Sequence, residues 1–214
     1  MNWMKKVAVA LVCLLPLGLQ AAKVDTLLVK SPSMNKSIEV VVVSPDVTAT
    51  KACPVIYLLH GYGGNARTWV GIKPDLSKIA DEKGIFFVCP DGKNTWYWDS
   101  PLNADVRYET FISDELVKYV DSHYKTVADR KGRAITGLSM GGHGAMWNGL
   151  RHSDVFSAAG STSGGVDIRP FPKNWEMSVQ IGEKAKYPEN WEKYTVINLV
   201  PTLRKDQIAL IFDC

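Results

Sequence analysis

The stretch Gly137-Leu138-Ser139-Met140-Gly141 decides the predicted fold. It fits the pattern Gly-x-Ser-x-Gly, and its flanks indicate an apolar strand over 133–136 and a helix that begins after the serine. A serine on a tight turn between them projects its hydroxyl clear of the sheet, which requires a strained backbone and neighbours without side chains. Gly137 and Gly141 meet that requirement, so Ser139 is the candidate nucleophile.

A second glycine-rich stretch gives this pattern its weight. Alone, Gly-x-Ser-x-Gly is a weak signal, because average glycine and serine frequencies produce it by chance in roughly one chain of this size in fifteen. However, His60-Gly61-Tyr62-Gly63-Gly64 directly follows an apolar run at 55–59. A loop in that position donates one backbone N–H to a developing oxyanion, and the residue after the nucleophile donates another. The expected donors are Tyr62 and Met140.

Short apolar runs alternate with helical patterns along the rest of the chain. Strands are predicted at 23–30, 38–44, 54–59, 85–89, 133–136, 156–159 and 209–214, and helices at 76–83 and 108–124. This alternation predicts an α/β fold with a mostly parallel central sheet and helices on both faces. The stretch 164–205 is rich in Trp, Pro and charge, and is interpreted as an insertion over the active-site edge.

The N-terminus has the features of a signal peptide. Lys5 and Lys6 precede an apolar run at 7–19, and Ala21 and Ala22 offer small residues for cleavage. We therefore expect a signal peptide over 1–22, an exported domain over 23–214, and a secreted or periplasmic location. The run is shorter than the roughly 20 residues of a membrane span, so no membrane anchor is expected.

Composition narrows the range of partners. The formal net charge is +3 and no run of Lys or Arg stands out, so a nucleic acid partner is not expected. No spacing resembles a metal site, and no cofactor is implied. Export permits disulfides, but Cys53, Cys89 and Cys214 have apolar neighbours and are interpreted as buried free thiols. The oligomeric state is left open.

These motifs make the sequence similar to a known family. It resembles the esterase D / S-formylglutathione hydrolase-like family of α/β-hydrolases, which includes feruloyl and acetylxylan esterases and mycolyltransferases. The resemblance covers roughly 38 to the end and rests on the matching stretches 59–64, 90–92, 96–97, 108–109, 115–116, 137–145, 156–159 and 163–164. It implies an α/β-hydrolase fold, Ser139 as nucleophile and the N–H groups of Tyr62 and Met140 as oxyanion donors. The implied function is that of a secreted serine esterase that works through an acyl-serine.

The resemblance also exposes a gap, because a serine hydrolase needs a histidine base and an acid to orient it. His60 is expected to shape its loop, His123 and His152 to lie at the surface, and His143 not to match the family's base. The family's acid and histidine lie after the strand at 208–214. The fold is therefore expected to lack its final strand and helix and to be C-terminally incomplete. Asp213 is expected to be a strand-end residue, with the role of the acid as the alternative.

An aromatic loop supplies the candidate substrate-binding residues. Trp96, Tyr97 and Trp98 follow a predicted strand and lie where the substrate is expected. Their rings could stack on a sugar or an aromatic acyl group, which suits acetyl or feruloyl esters of carbohydrates, small or polymeric. Alternatively, they pack beneath the insertion, against Trp175 and Trp191. Export disfavours glutathione thioesters as substrates.

Two rival functions remain open from the sequence. Acyl transfer to a sugar or lipid alcohol uses the same serine and differs only in excluding water. A non-catalytic carbohydrate-binding remnant is favoured for this chain by the missing acid and histidine, whereas the two glycine-rich motifs favour an esterase.

Overall fold

A twisted sheet of mixed direction forms the centre of the molecule. The computed structural model describes residues 22–49 and 51–213, and within them the sheet has seven strands in the order β1-β2-β4-β3-β5-β6-β7. The strands are β1 Lys23–Ser31, β2 Lys36–Ser44, β3 Val55–Leu59, β4 Phe86–Pro90, β5 Arg133–Gly137, β6 Ala158–Thr162 and β7 Ala209–Asp213. β2 pairs antiparallel with β1 and β4, and all other pairs are parallel. The predicted mostly parallel sheet is confirmed.

Helices cover both faces of this sheet. The helices are α1 Thr68–Ile72, α2 Leu76–Lys83, α3 Tyr108–Thr110, α4 Leu116–His123, α5 Met140–Arg151, α6 Met177–Ile181 and α7 Pro188–Lys193. Short 3-10 helices lie at Asp46–Ala49, Arg130–Gly132 and Val196–Thr202. α2 packs on one face, and α4 and α5 pack on the other within the larger apolar cluster. No helix in the described ranges is long and apolar enough to cross a membrane.

The helix predicted at 108–124 is a continuous helical segment that contains one wider turn. A π-helical turn at Phe111–Glu115 separates α3 from α4. Beside it, the buried carboxylate of Glu109 accepts hydrogen bonds from Trp147 Nε1 and Arg151 Nε, both at 2.7 Å. A charge taken out of water needs such partners, and here they tie α3 to the end of α5.

β6 begins two residues later than the sequence predicts. The sequence pattern places this strand at 156–159, but β6 spans Ala158–Thr162. The N–H of Phe156 donates to the carbonyl of His152, so Phe156 still belongs to the turn that ends α5. Its ring is buried edge-on against Tyr57, at 5.7 Å between centroids. Phe156, which the sequence pattern assigns to the strand, is therefore a core residue of the turn that precedes it.

β7 is a strand, as predicted; an apolar run of this kind is typical of a buried strand, but β7 is exposed. All five of its residues are exposed, and Ile211 and Phe212 keep 75% of their surface open. Within the described part of the chain β7 pairs on one side only, with β6, and its Leu210 and Phe212 border an apolar cleft that residues of α5 and of the 3-10 helix Val196–Thr202 also line. An apolar run predicts a strand; its burial depends on what packs against it.

The interpretation of Cys53 and Cys89 as buried free thiols is confirmed, and Cys214 lies outside the described residues. Both are unpaired and buried, and they belong to apolar clusters on opposite faces of the sheet. Burial raises the pKa of the Cys89 thiol to about 12. This thiol is therefore an inert part of the core.

The turn between β5 and α5 packs directly on the end of β3. A Cβ atom on Gly141 would lie 2.6 Å from the carbonyl oxygen of His60, and one on Gly137 would lie 2.8 Å from that of Leu59. Both distances are shorter than any normal contact of a Cβ atom. The two glycines therefore let the serine turn touch the neighbouring strand.

This contact predicts the effect of adding one methyl group to the turn. Gly141→Ala should lower the free energy of unfolding by about 1–3 kcal/mol, the usual cost of overpacking, because the methyl group meets rigid backbone. Gly71→Ala is the matched control: Gly71 is exposed on α1 with nothing within 4 Å of an added Cβ. It should leave stability unchanged or raise it by up to about 1 kcal/mol. Urea unfolding measures the free energy of unfolding of both variants. Equal changes in that free energy would contradict the proposed contact of Gly141 with β3.

Candidate active site

Ser139 sits at the turn between β5 and α5 with its side chain exposed. Its backbone has φ 54° and ψ −115°, a sparsely populated conformation for a residue with a Cβ atom. Two hydrogen bonds hold this turn: the N–H of Ser139 donates to Thr162 O at 2.8 Å, and the N–H of Gly141 donates to Leu138 O at 2.8 Å. The strained turn therefore presents the serine hydroxyl above the sheet edge.

The loop at 60–64, which follows β3, faces this turn and is fixed from below by His60. The ring of His60 is buried; its Nε2 accepts from the N–H of Gly92 at 2.9 Å. Its Nδ1 therefore carries the proton and donates to Gly61 O at 2.7 Å. The hydroxyl of Tyr97 donates to His60 O at 3.0 Å. His60 shapes the loop, as the sequence predicts.

Two backbone N–H groups beside Ser139 are free to bind a ligand. Neither the N–H of Tyr62 nor that of Met140 donates to any group in the described part of the chain. Met140 is the first residue of α5, where an N–H has no partner within its own helix. Tyr62, Ser139 and Met140 line the same cleft. The two donors predicted from the sequence therefore share one cavity with the serine.

The cleft has a volume of about 260 Å³ and largely apolar walls. Residues from the stretch 164–205, which the sequence marks as an insertion, form one wall. Tyr62, Phe171 and Trp175 leave 38%, 43% and 46% of their surfaces exposed around it. The lining residues are Tyr62, Trp96, Ser139, Met140, Ser163, Gly164, Gly165, Asp167, Ile168, Phe171, Trp175 and Met177.

Of the three aromatic residues proposed from the sequence to bind substrate, Trp96 lines this cleft. Its ring stacks on Trp98, with centroids 5.5 Å apart, and its Nε1 donates to Trp175 O at 3.1 Å. Tyr97 and Trp98 are fully buried behind it. Trp98 donates through Nε1 to His143 at 3.0 Å. Trp96 therefore forms the surface of the wall, and the other two rings support it from within.

His143 lies one turn along α5 from Ser139, but its ring is fully engaged elsewhere. Its Nε2 accepts from Trp98, so its Nδ1 carries the proton and donates to Gly165 O at 2.7 Å. Burial lowers the pKa of His143 to about 4. The ring is therefore neutral near pH 7 and has no nitrogen free to accept a proton from Ser139.

The other two histidines and Asp213 are also engaged away from the serine. His152 is hydrogen-bonded through Nε2 to Glu109 Oε1 at 2.8 Å, and the exposed His123 stacks on Tyr119. Asp213 ends β7 with an exposed side chain, and its carbonyl accepts from the N–H of Ser163. Within residues 22–49 and 51–213, the hydroxyl of Ser139 has no hydrogen-bond partner. The base expected of a triad is therefore not among the four histidines of this chain.

A set of contacts that the sequence does not reveal crosses the outer rim of the cleft. The N–H of Gly63 donates to Asn94 Oδ1 at 2.9 Å, and Asn94 Nδ2 donates to Glu176 Oε2 at 3.4 Å. Interaction with the nearby Glu176 carboxylate raises the pKa of the Tyr62 hydroxyl. We call these four residues the rim bridge. Asn94 and Glu176, which are in contact, are 82 positions apart in the sequence, and no motif connects them.

Backbone strain is concentrated around the cleft. Nine non-glycine residues in the described ranges have positive φ angles, and most of them line or flank the site. Those at the site are Lys93, Trp96, Tyr97, Ser139, Ser163, Trp175 and Glu176. Such conformations persist only where surrounding contacts enforce them. Contacts around the cleft therefore hold these seven residues in their positive-φ conformations.

The described residues hold no group of three or more His, Cys, Asp or Glu side chains arranged to bind a metal ion.

Comparisons with known proteins place the chain in a family. Residues 31–210 match the Esterase family, whose description reads "Putative esterase". The chain is 32% identical over 142 residues to Esterase MT1326 of Mycobacterium tuberculosis (strain CDC 1551 / Oshkosh), which is 63% of this chain and 30% of that protein. The chain therefore spans about a third of the length of this curated relative.

Solved structures agree on the fold. A ferulic acid esterase superposes with a TM-score of 0.71 and 28% identity, covering 91% of this chain and 79% of that one. An S-formylglutathione hydrolase from Agrobacterium tumefaciens superposes with a TM-score of 0.75 and 21% identity, covering 90% and 75%. With the family match taking in most of the chain, the protein belongs to the Esterase family and has the α/β-hydrolase fold.

Proposed function

We propose that the full-length protein carrying this chain is a carboxylic ester hydrolase that works through an acyl-serine at Ser139. The observation that carries the proposal is the exposed hydroxyl of Ser139 on a strained turn, in one cleft with the free N–H groups of Tyr62 and Met140. Membership of the Esterase family supports the same chemistry.

In this mechanism the Ser139 oxygen attacks the ester carbonyl carbon. The carbonyl oxygen becomes an oxyanion, and the N–H groups of Tyr62 and Met140 stabilise it; losing one such donor typically costs about 3–4 kcal/mol of transition-state stabilisation. The alcohol leaves, and water then releases the acid from the acyl-serine. A general base has to take the serine proton and pass it to the leaving alcohol, and none of the four histidines of this chain is placed to do so.

The walls of the cleft favour esters with a flat or ring-shaped group. Phe171 and Trp175 expose aromatic faces beside Trp96, and rings of this kind stack on aromatic acyl groups and on sugars. The similarity to a ferulic acid esterase points the same way. Acetyl or feruloyl esters of carbohydrates are therefore the proposed substrates.

One observation favours a second candidate function. No described group is hydrogen-bonded to the Ser139 hydroxyl, and an unactivated serine is a weak nucleophile. Together with the exposed aromatic rim, this suits a carbohydrate-binding protein without catalysis. Such a protein would bind saccharides and leave Ser139 unmodified.

Replacing the serine separates the two candidates. In the full-length protein, Ser139→Ala should reduce hydrolysis of p-nitrophenyl acetate by at least about 100-fold and abolish labelling by a fluorophosphonate. Ser163→Ala is the matched control, because Ser163 lines the same cleft and its side chain has no role in the mechanism. The rate at which this variant hydrolyses p-nitrophenyl acetate should stay within about threefold of the wild-type rate. Wild-type protein that neither turns over ester nor becomes labelled would leave only the binding function.

A second substitution tests the oxyanion site. Tyr62→Pro removes the N–H and should reduce kcat by about 100- to 1000-fold, as expected for the loss of one oxyanion donor. Tyr62→Phe keeps the N–H, and its kcat should stay within about tenfold of the wild-type value. Steady-state kinetics give the ratio, and a urea unfolding midpoint shows whether the proline variant is folded. Equal activity of the two variants would exclude Tyr62 as a donor.

We also propose that the protein is exported, with residues 1–22 removed. This rests on the charge and apolar pattern of those residues, of which 1–21 lie outside the described residues. N-terminal sequencing of protein recovered outside the cytoplasm should begin at Lys23. Recovery from the cytoplasm with an intact N-terminus would contradict the proposal.

A further inference from the structure

The loop at 60–64 is held differently on its two sides. On the inner side, buried groups fix it: the ring of His60 and the hydroxyl of Tyr97. On the outer side, Tyr62 is exposed, and the loop is rich in glycine, with Gly63 at φ 76°. Packing does not immobilise this side, so its polar contacts decide where the N–H of Tyr62 points.

Those outer contacts all lead to Glu176. Asn94 accepts from the N–H of Gly63 at 2.9 Å and donates to Glu176 Oε2 at 3.4 Å, while the hydroxyl of Tyr62 lies near the same carboxylate. One side chain thus reaches two consecutive residues of the loop, one directly and one through Asn94. We propose that Glu176 is a positioning residue, which through the rim bridge keeps the N–H of Tyr62 aimed at the oxyanion of the hydrolase reaction proposed above.

The backbone at Glu176 is shaped for this contact. Trp175 and Glu176 are consecutive residues with φ angles of 50° and 53°, just before α6. Two left-handed residues in a row are costly, and they persist only where other contacts hold them. One such contact is the hydrogen bond from Trp96 Nε1 to Trp175 O. The turn carries the carboxylate of Glu176 back across the rim to the loop.

The expected effect is on catalysis rather than on substrate binding. Stabilisation of an oxyanion depends steeply on where the donor points, because the donor must meet the charge that develops in the transition state. A loop freed on its outer side should sample misaligned N–H orientations. Loss of the Glu176 carboxylate should therefore lower kcat by about 3- to 10-fold and leave KM for a small ester unchanged.

The test uses p-nitrophenyl acetate, whose small acyl group makes little use of the aromatic rim, and the full-length protein. The variants are Glu176→Ala, Glu176→Gln, Tyr62→Phe and the double variant Tyr62→Phe with Glu176→Ala. Glutamine keeps an oxygen that accepts from Tyr62 and Asn94, so Glu176→Gln should restore at least half of the wild-type kcat. Glu183→Ala is the control, an exposed glutamate of the same stretch with no side-chain contact among the described residues.

The inference is supported if Glu176→Ala lowers kcat at constant KM, glutamine restores it, and the double variant is no slower than Glu176→Ala alone. It is overturned if Glu176→Ala has the same kcat as Glu183→Ala, or if Glu176→Ala raises KM and leaves kcat unchanged. It is also overturned if the fold-reduction of kcat in the double variant equals the product of the fold-reductions in Tyr62→Phe and Glu176→Ala. Ser139→Ala, assayed in parallel, separates this failure from failure of the hydrolase function. If Ser139→Ala keeps full activity, the function proposed above fails instead.

Discussion

The contact between the serine turn and the end of β3 is the constraint on which the site depends. Gly141 touches the backbone of His60, and this contact brings the start of α5 against the loop that carries Tyr62. The parallel pairing of β3 with β5 brings the two strand ends to the same edge of the sheet. Because Tyr62 and Met140 each follow the end of their strand by three residues, this pairing brings both N–H groups to the same edge of the sheet.

Buried polar groups keep that edge in one arrangement. His60 and His143 are both buried rings whose two nitrogens are hydrogen-bonded to backbone groups or to a tryptophan. Both nitrogens of each ring are engaged in this way, although both rings lie in or beside the two glycine-rich motifs of the sequence. They act as cross-links between loops, since a buried imidazole left without partners would be costly. A histidine that lies close to the nucleophile in the sequence is therefore not for that reason the catalytic base.

The wall of the cleft shows how strain and hydrogen bonding combine. Trp96 and Trp175 each sit in a left-handed backbone conformation and are joined by one hydrogen bond across the cleft edge. This hydrogen bond helps to offset the strain at both residues, because a change of either backbone to a negative φ angle would break it. The aromatic surface offered to a substrate is thus set by two loops that are far apart in sequence.

The sequence by itself determined the sheet, the serine turn and the places of the two N–H groups proposed as oxyanion donors, because each depends on local patterns: short apolar runs and glycines where a Cβ atom would clash. Only the tertiary structure decided the late start of β6 at Ala158, the burial of Tyr97 and Trp98, and the contacts of Glu176 at the rim. Each of these is a question of which distant segment packs against a residue. An apolar or charged side chain carries no local signal of its neighbour, so such features appear only once the chain has folded.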